Sequence, residues 1–338
     1  MFEPEDIISF VQFTDIAREQ AAWDAKNLDN DDIEEWDNPY FGFPQMIRFA
    51  FYPSQSAIEK MNELKKHGVS LALSALFKPQ SIKKDTKTFG HQKFIHEKEV
   101  FEFLKIIDGA SSDSKLLGFL DYDKIKQGQM CRHLVMVLPY CASCDAMEAL
   151  IQKHLGDFKN LGDYEILNIS GVDAQHTFRT PTEIKTRIIQ LESKGKKTLT
   201  LTVNRMLTGS TVEQWDTMIY LKDTASPQEY DQAIFRLQNQ YVRELSDGNK
   251  IIKECLKPQT LLVDFDPHRL FTMQEQKSLI YNANTEKNGN QLLGKRIADE
   301  LRISPIITMN HNRLEQVEAS DILKEVSRYN NARSITDE

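Results

Sequence analysis

The sequence predicts an α/β fold in which a parallel sheet is covered by helices on both faces, and three observations carry that expectation. Between residues 130 and 266, short apolar segments rich in β-branched residues alternate with segments whose apolar positions recur at helical spacing. The short segments are nearly continuous in apolar character, as strands buried on both faces must be. Two of the intervening stretches carry helix-start signals, Thr180-Pro181 with Glu183 and Ser226-Pro227 with Glu229. Each supplies an N-cap hydroxyl, a proline at the first helical position and an acid at the third.

In chain order, residues 1–90 read as a lead-in. They hold a candidate helix over 13–26, the acidic loop NLDNDDIEEWDN, the apolar stretch MIRFAFY, and a polar run, KPQSIKKDTKTFGHQK, expected to be a mobile loop. A helix is expected over 97–107 in FIHEKEVFEFLKIIDGA. The strand candidates are HLVMVLP (133–139), YEILNIS (164–170), KTLTLTV (197–203), DTMIYL (216–221) and QTLLVDF (259–265). Met147, Leu150, Ile151 and Leu155 give one intervening helix its apolar stripe, and Ile184, Ile188 and Leu191 give the next, which stops before Gly195. Residues 91–266 therefore form the α/β domain. In 267–338, MQEQKSLIYNA, NQLLGKRIADELRIS and SDILKEVSRYN predict a helical C-terminal appendage.

Composition narrows the function classes. A chain of 338 residues with 40% hydrophobic and 27% charged residues is an ordinary globular protein of one large or two smaller domains. No apolar run approaches the roughly 18 residues that a membrane helix requires, and the acidic start MFEPEDIISF is unlike a secretory signal, so the expected location is cytoplasmic. A net charge of −8 argues against a basic coat but leaves room for a local basic groove. Four cysteines fit a reducing compartment. Cys141 and Cys144 form a lone CxxC to which neither Cys131, Cys255 nor the histidines add a second ligand pair, so no metal site is expected and the pair reads as small residues in a strand-to-helix turn. His91 and His96 read as solvated.

The densest stretch is TVNRMLTGSTVEQWDTMIYLKDTASPQEYDQAIFRLQNQYV (202–242). With the helix starting at Pro227, Tyr230, Ile234, Leu237 and Tyr241 fall on one stripe, and Gln232, Arg236, Asn239 and Arg243 on the opposite, outward one. The order strand, LTGST loop, strand, helix with Q-A-x-x-R resembles motifs V and VI of superfamily 2 helicases and translocases, in particular the motor subunits of type I and type III restriction enzymes. RHLVMVLPYCASCDAMEAL resembles motif IV, and YEILNISG resembles the strand after it. The family helix usually reads Q-x-x-G-R-x-x-R; Gln232 and Arg236 match, while Phe235 stands for the glycine and Asn239 for the second arginine.

The resemblance implies a RecA-like fold and a role as the second motor domain of an ATP-dependent DNA translocase. ATP and magnesium would lie between this domain and a first RecA-like domain that carries the Walker A lysine and the acidic metal site. It implies that Arg236 is an arginine finger, with Gln232 beside it, because a guanidinium stabilises the charge spread over a departing γ-phosphoryl group. Gly209, Ser210, Thr211 and Asn239 would face the nucleotide, and Ser143, Ser170, Gly171 and Thr208 would face DNA. Gly209 permits a tight turn, and the hydroxyls and amides beside it can donate to phosphate oxygens.

A complete motor also needs G-x-x-x-x-G-K-[ST]. The nearest match, GNQLLGKR (289–296), ends in Arg296 and has no strand before it, so it reads as helix, as does DELR (299–302). The first motor domain is therefore expected to be a separate partner, along with DNA. Two alternatives stay open: a restriction-type nuclease using Asp173, Glu183 and Lys185, and a non-catalytic nucleic-acid-binding module.

Overall fold

A computed structural model describes residues 13–50, 72–82, 91–110, 120, 130–172, 178, 180–224, 226–248, 250–282, 290–310 and 313–336. The first part holds α1 (Phe13–Asn27), β1 (Gln45–Ala50), α2 (Leu73–Leu76), an antiparallel pair of β2 (Pro79–Ser81) and β3 (Gln92–Phe94), and α3 (Glu97–Asp108). The middle alternates β4 (His133–Val137), α4 (Cys141–Lys153), β5 (Tyr164–Asn168), α5 (Pro181–Glu192), β6 (Lys197–Thr202), β7 (Thr217–Tyr220) and α6 (Pro227–Ile234). A second antiparallel pair, β8 (Val242–Asp247) and β9 (Lys250–Cys255), leads to β10 (Gln259–Asp264). The last part holds α7 (Pro267–Asn282), α8 (Asn290–Ile303), β11 (Ile306–Asn310), β12 (Arg313–Gln316) and α9 (Ala319–Thr336).

One eight-stranded sheet runs β12-β11-β1-β10-β7-β4-β6-β5. Its pairings are parallel except at the edge, where β11 meets β12 antiparallel. The five strands expected from sequence, β10, β7, β4, β6 and β5, are contiguous in it. The α/β class and the helices on both faces are as expected. All five residues of β4 are buried; Leu134 and Met136 join a core with Met147 and Ile151 of α4, while Val135 and Val137 join one with Ile184 and Ile188 of α5. That alternation is the two-residue period of a strand covered on both sides.

The two ends of the chain depart from expectation. β1, from MIRFAFY, is an interior strand paired to β10 on one side and β11 on the other, so the lead-in is part of the sheet. The C-terminal part is not purely helical, because β11 and β12 extend that sheet. The physical reason is the free edge of β1, whose backbone groups need partners that no local pattern in the tail announces. The three tail helices pack around Ala50 and Ile306 through Leu270, Ile297 and Ile322. Residues 83–90 of the expected mobile loop lie outside the described residues.

A buried polar node fixes the carboxyl end of β10. Asp264 is fully buried and accepts from Arg269 Nη2 at 2.6 Å, from Arg269 Nε at 3.1 Å and from the Tyr230 hydroxyl at 2.7 Å. The guanidinium also lies 4.8 Å from the Tyr220 ring centre and donates to the Lys222 carbonyl at 2.7 Å. One ion pair thus ties β10, α7, β7 and α6. Removing one member of a buried pair strands the other, at a cost of about 3–5 kcal/mol, whereas an exposed pair contributes about 0–1 kcal/mol. Arg269→Ala should therefore lower stability in urea unfolding by several times more than Arg243→Ala, which removes the exposed pair with Glu254. Equal losses would contradict this placement.

Lys257, between β9 and β10, is 2% exposed and donates to the carbonyls of Glu213 at 2.6 Å and Trp215 at 3.1 Å. Burial lowers its pKa to about 8 from 10.5. Between those values the unfolded chain holds a proton there that the folded chain has released, so this group makes stability rise with pH across that window. Below pH 8 the desolvation penalty is fully present. Unfolding measured from pH 7 to 10.5 should show this rise in the parent, relative to Lys257→Met; parallel curves would contradict it.

Candidate functional site

The loop 203–216 returns the chain from the carboxyl end of β6 to the amino end of β7. Met206, Leu207, Val212 and Trp215 anchor it in the core, leaving Thr208 and Gly209 exposed at its tip. Gly209 has φ +69° and a Cβ built there meets nothing within 4 Å, so the glycine is required by backbone conformation and not by space. At the loop's start, the Thr202 hydroxyl donates to the Arg205 carbonyl at 2.8 Å.

Helix α6 starts as expected. The Ser226 hydroxyl accepts from the Glu229 amide at 3.2 Å and Pro227 holds the first helical position. The Glu229 carboxylate does not close the capping box; it takes Lys222 Nζ and, at 3.0 Å, the Thr224 hydroxyl. The hydrogen bond from Lys222 is the main cause holding the Glu229 pKa below its usual value. Lys222 Nζ also donates to Asn204 Oδ1 at 2.8 Å, so one ammonium links the loop after β6, the end of β7 and the first turn of α6.

The far end of this helix differs from expectation. The α-helix stops at Ile234 and a 3-10 turn, Phe235–Gln238, follows. Tyr230, Ile234 and Leu237 are buried as one stripe and Gln232 is exposed. Tyr241 and Arg243 leave the helical phase, because Asn239 is already extended and Arg243 belongs to β8. Arg236 is half-buried and does not project freely outward: its Nε donates to the Leu207 carbonyl at 3.0 Å and its Nη1 to the Ser210 carbonyl at 3.3 Å. Burial lowers its pKa, yet a guanidinium remains charged. Asn239 Nδ2 donates to the Arg236 carbonyl at 2.9 Å. Gly209, Ser210 and Thr211 thus sit in the loop that Arg236 holds.

The residues expected to face DNA divide. Thr208 is exposed. Ser170 is half-buried, its hydroxyl 3.1 Å from that of Thr202, and the Gly171 amide donates to Asn168 Oδ1 at 2.8 Å. Ser143 is fully buried and donates to the Phe77 carbonyl at 2.7 Å, so it lies where no nucleic acid reaches. Its place on the inner side of the first turn of α4 is the reason. Cys144 is buried and Cys141 exposed at that helix start, and among the described residues no group of three or more His, Cys, Asp or Glu is placed to hold a metal ion. Glu183 and Lys185 lie in the first turns of α5; Asp173 is outside the described residues.

Two further cations, Arg205 and Lys222, hold this face without belonging to any of the motifs. Arg205 Nη1 donates to the carbonyls of Ile169 at 2.8 Å and Phe178 at 2.7 Å, joining the loop after β5 to the loop after β6. The available signal was a cation just beyond the end of a buried strand.

No family model matches the chain. The chain is 24% identical over 245 residues to a Mycoplasma pneumoniae protein described as "Putative type II restriction enzyme and methyltransferase RM.MpnORF110P C-terminus". The aligned region is 70% of this chain and 32% of that protein, so the chain spans about a third of the length of the relative it matches. The chain is thus similar, at low identity, to a protein of restriction-modification type. Among the described residues no helix is long and apolar enough to cross a membrane.

The geometry makes Arg236 the clamp of the loop tip. Arg236→Ala should leave the fold intact, reduce stability by about 1–2 kcal/mol as lost charge-assisted hydrogen bonds do, and speed amide exchange selectively over 207–211. Unchanged exchange there would show that the loop is held by its buried anchors alone.

Proposed function

We propose that the chain acts in a restriction-modification system as the second RecA-like motor domain of an ATP-dependent DNA translocase. The observation that carries this reading is the direct contact of two motif-like segments, LTGST and Q-A-x-x-R, through Arg236 and the carbonyls of Leu207 and Ser210. The relative supports the restriction-modification setting alone, and its description names a restriction enzyme and methyltransferase, not a motor. ATP with magnesium would supply the chemistry, phosphoryl transfer to water. The exposed tip offers amide and hydroxyl donors suited to phosphate oxygens, and in this reading magnesium would be held by the partner domain. Arg236 then stabilises charge developing on the phosphoryl group, its planar fork already oriented by two carbonyls.

A second reading, a DNA-binding module without turnover, draws on Phe235 and Asn239 in place of the family's glycine and second arginine, and on the commitment of Arg236 to its own loop. A restriction-type nuclease fragment is the reading that the relative favours, since its description names a type II restriction enzyme. Against the use of Glu183 in it, that residue lies exposed in the first turn of a helix, where its amide donates to the Thr180 hydroxyl at 3.2 Å. The chain alone should neither hydrolyse nor tightly bind ATP, and should bind DNA weakly with steep salt dependence. Joined to a Walker A-bearing first motor domain, it should support DNA-stimulated ATP turnover that Arg236→Ala lowers by roughly 10³-fold and Arg236→Lys rescues poorly. DNA binding without any ATP turnover in the joined protein would favour the second reading. Magnesium-dependent cleavage by the chain alone, lost in Glu183→Ala, would favour the nuclease.

A further inference from the structure

At the amino ends of β1 and β10 a cavity of about 300 Å³ opens between α1, the end of α8 and the 3-10 turn that follows α6. Ile16, Phe43, Met46, Pro258 and Ile303 form its apolar walls, and among the described residues no charged side chain lines it. Its polar side chains are three glutamines, Gln20, Gln45 and Gln238. None of these residues belongs to the loop tip at 207–211, and none has been given a role above.

The three carboxamides differ in what they touch. Gln45 is exposed and committed: its Nε2 donates to the Ile303 carbonyl at 3.1 Å, and its Oε1 accepts from Gln259 Nε2 at 2.8 Å. Gln20 is half-buried on the α1 side. Gln238 is 3% exposed, yet its carboxamide makes no hydrogen bond among the described residues. Gln274, comparably buried, shows the usual arrangement: its oxygen accepts from Arg48 Nη1 at 2.5 Å and its nitrogen donates to Glu300. A buried polar group without a partner costs stability, because it has given up water and gained nothing in return. The unpaired Thr260 hydroxyl is sealed in the core; the Gln238 amide atoms keep accessible surface, and the cavity is where that surface lies.

We propose that this cavity binds an uncharged nucleobase whose exocyclic amino group donates to Gln238 Oε1 while the adjacent ring nitrogen accepts from Gln238 Nε2. A primary carboxamide offers an acceptor beside a donor, so its complement is an edge with a donor beside an acceptor. Adenine has that edge and is the base that glutamine pairs with at two points. An anion has no donor for Oε1 and an ammonium no acceptor for Nε2, and the walls hold no charge to offset either one. The flat ring would lie among Phe43, Met46 and Ile303. A volume of about 300 Å³ is at the small end of ligand sites, so the base is enclosed and any sugar or phosphate stays outside, on the side of the exposed Pro258. A free base, a nucleoside and a base on a nucleic-acid strand all present the same edge. This inference does not depend on the motor reading.

The test is equilibrium dialysis of the full chain against radiolabelled adenine, with purine, adenosine, adenosine monophosphate and a deoxyadenosine oligonucleotide as competitors. Adenine should bind saturably, and purine, which lacks the amino donor, should compete roughly tenfold or more weakly. Gln238→Leu keeps the size and removes the unpaired amide, so it should weaken adenine by about the same factor while leaving the thermal midpoint unchanged or raised. Adenosine and its monophosphate should compete alike, since no cation in the cavity holds a phosphate. Competition by the oligonucleotide as strong as by adenosine identifies a nucleic-acid strand as the source of the base, and its failure a free base or nucleoside. Absence of saturable binding, equal competition by purine, or full adenine binding by Gln238→Leu would overturn the proposal and leave Gln238 a solvated amide.

Discussion

The constraint on which the rest of the structure depends is a parallel sheet buried on both faces. Strands such as β4 and β7 have no exposed residue, so side chains that carry charge cannot sit along them without partners. Polar chemistry is displaced to the two ends of the strands. At the carboxyl end, Asp264, Arg269 and Tyr230 form one satisfied node, and Lys222, Asn204 and Arg205 tie the neighbouring loops together. At the amino end, Asp216 and Lys257 are equally buried but Asp216 is only half satisfied. The first end reads as a rigid support for loops.

How much of this was legible in the sequence follows from the same constraint. Buried parallel strands announce themselves as short apolar runs, which is why β4, β5, β6, β7 and β10 were readable with small boundary errors. β11 and β12, in IITMN and RLEQ, are strands because β1 offers them an edge, and no local propensity could say so. The start of α6 was readable from Ser226 and Pro227, since an N-cap is a local device. Its end was not: the change from α-helix to 3-10 turn at Phe235 removed Tyr241 and Arg243 from the stripes drawn for them. Arg236 was expected on the outward stripe; in the 3-10 turn it instead folds onto the carbonyls of Leu207 and Ser210, a tertiary contact that no local pattern announces. The cavity at Gln238 was invisible because Ile16, Phe43, Gln238 and Ile303 share no sequence neighbourhood beyond the chain itself.

The functional account rests on adjacency more than on any single residue. A glycine turn, a capped helix and an arginine are each common. Their meeting on one face of the sheet, with the arginine fastening the turn, makes a change at the loop tip and a change at the arginine one event.

The most direct measurement of this claim is an amide-exchange footprint of the chain joined to a Walker A-bearing first domain, recorded with DNA and a non-hydrolysable ATP analogue, each alone and both together. Added protection is expected over 207–211 and 232–239 when both are present, larger than the sum of the separate effects. Protection confined to other surfaces, with these two segments exchanging as they do in the isolated chain, would contradict it.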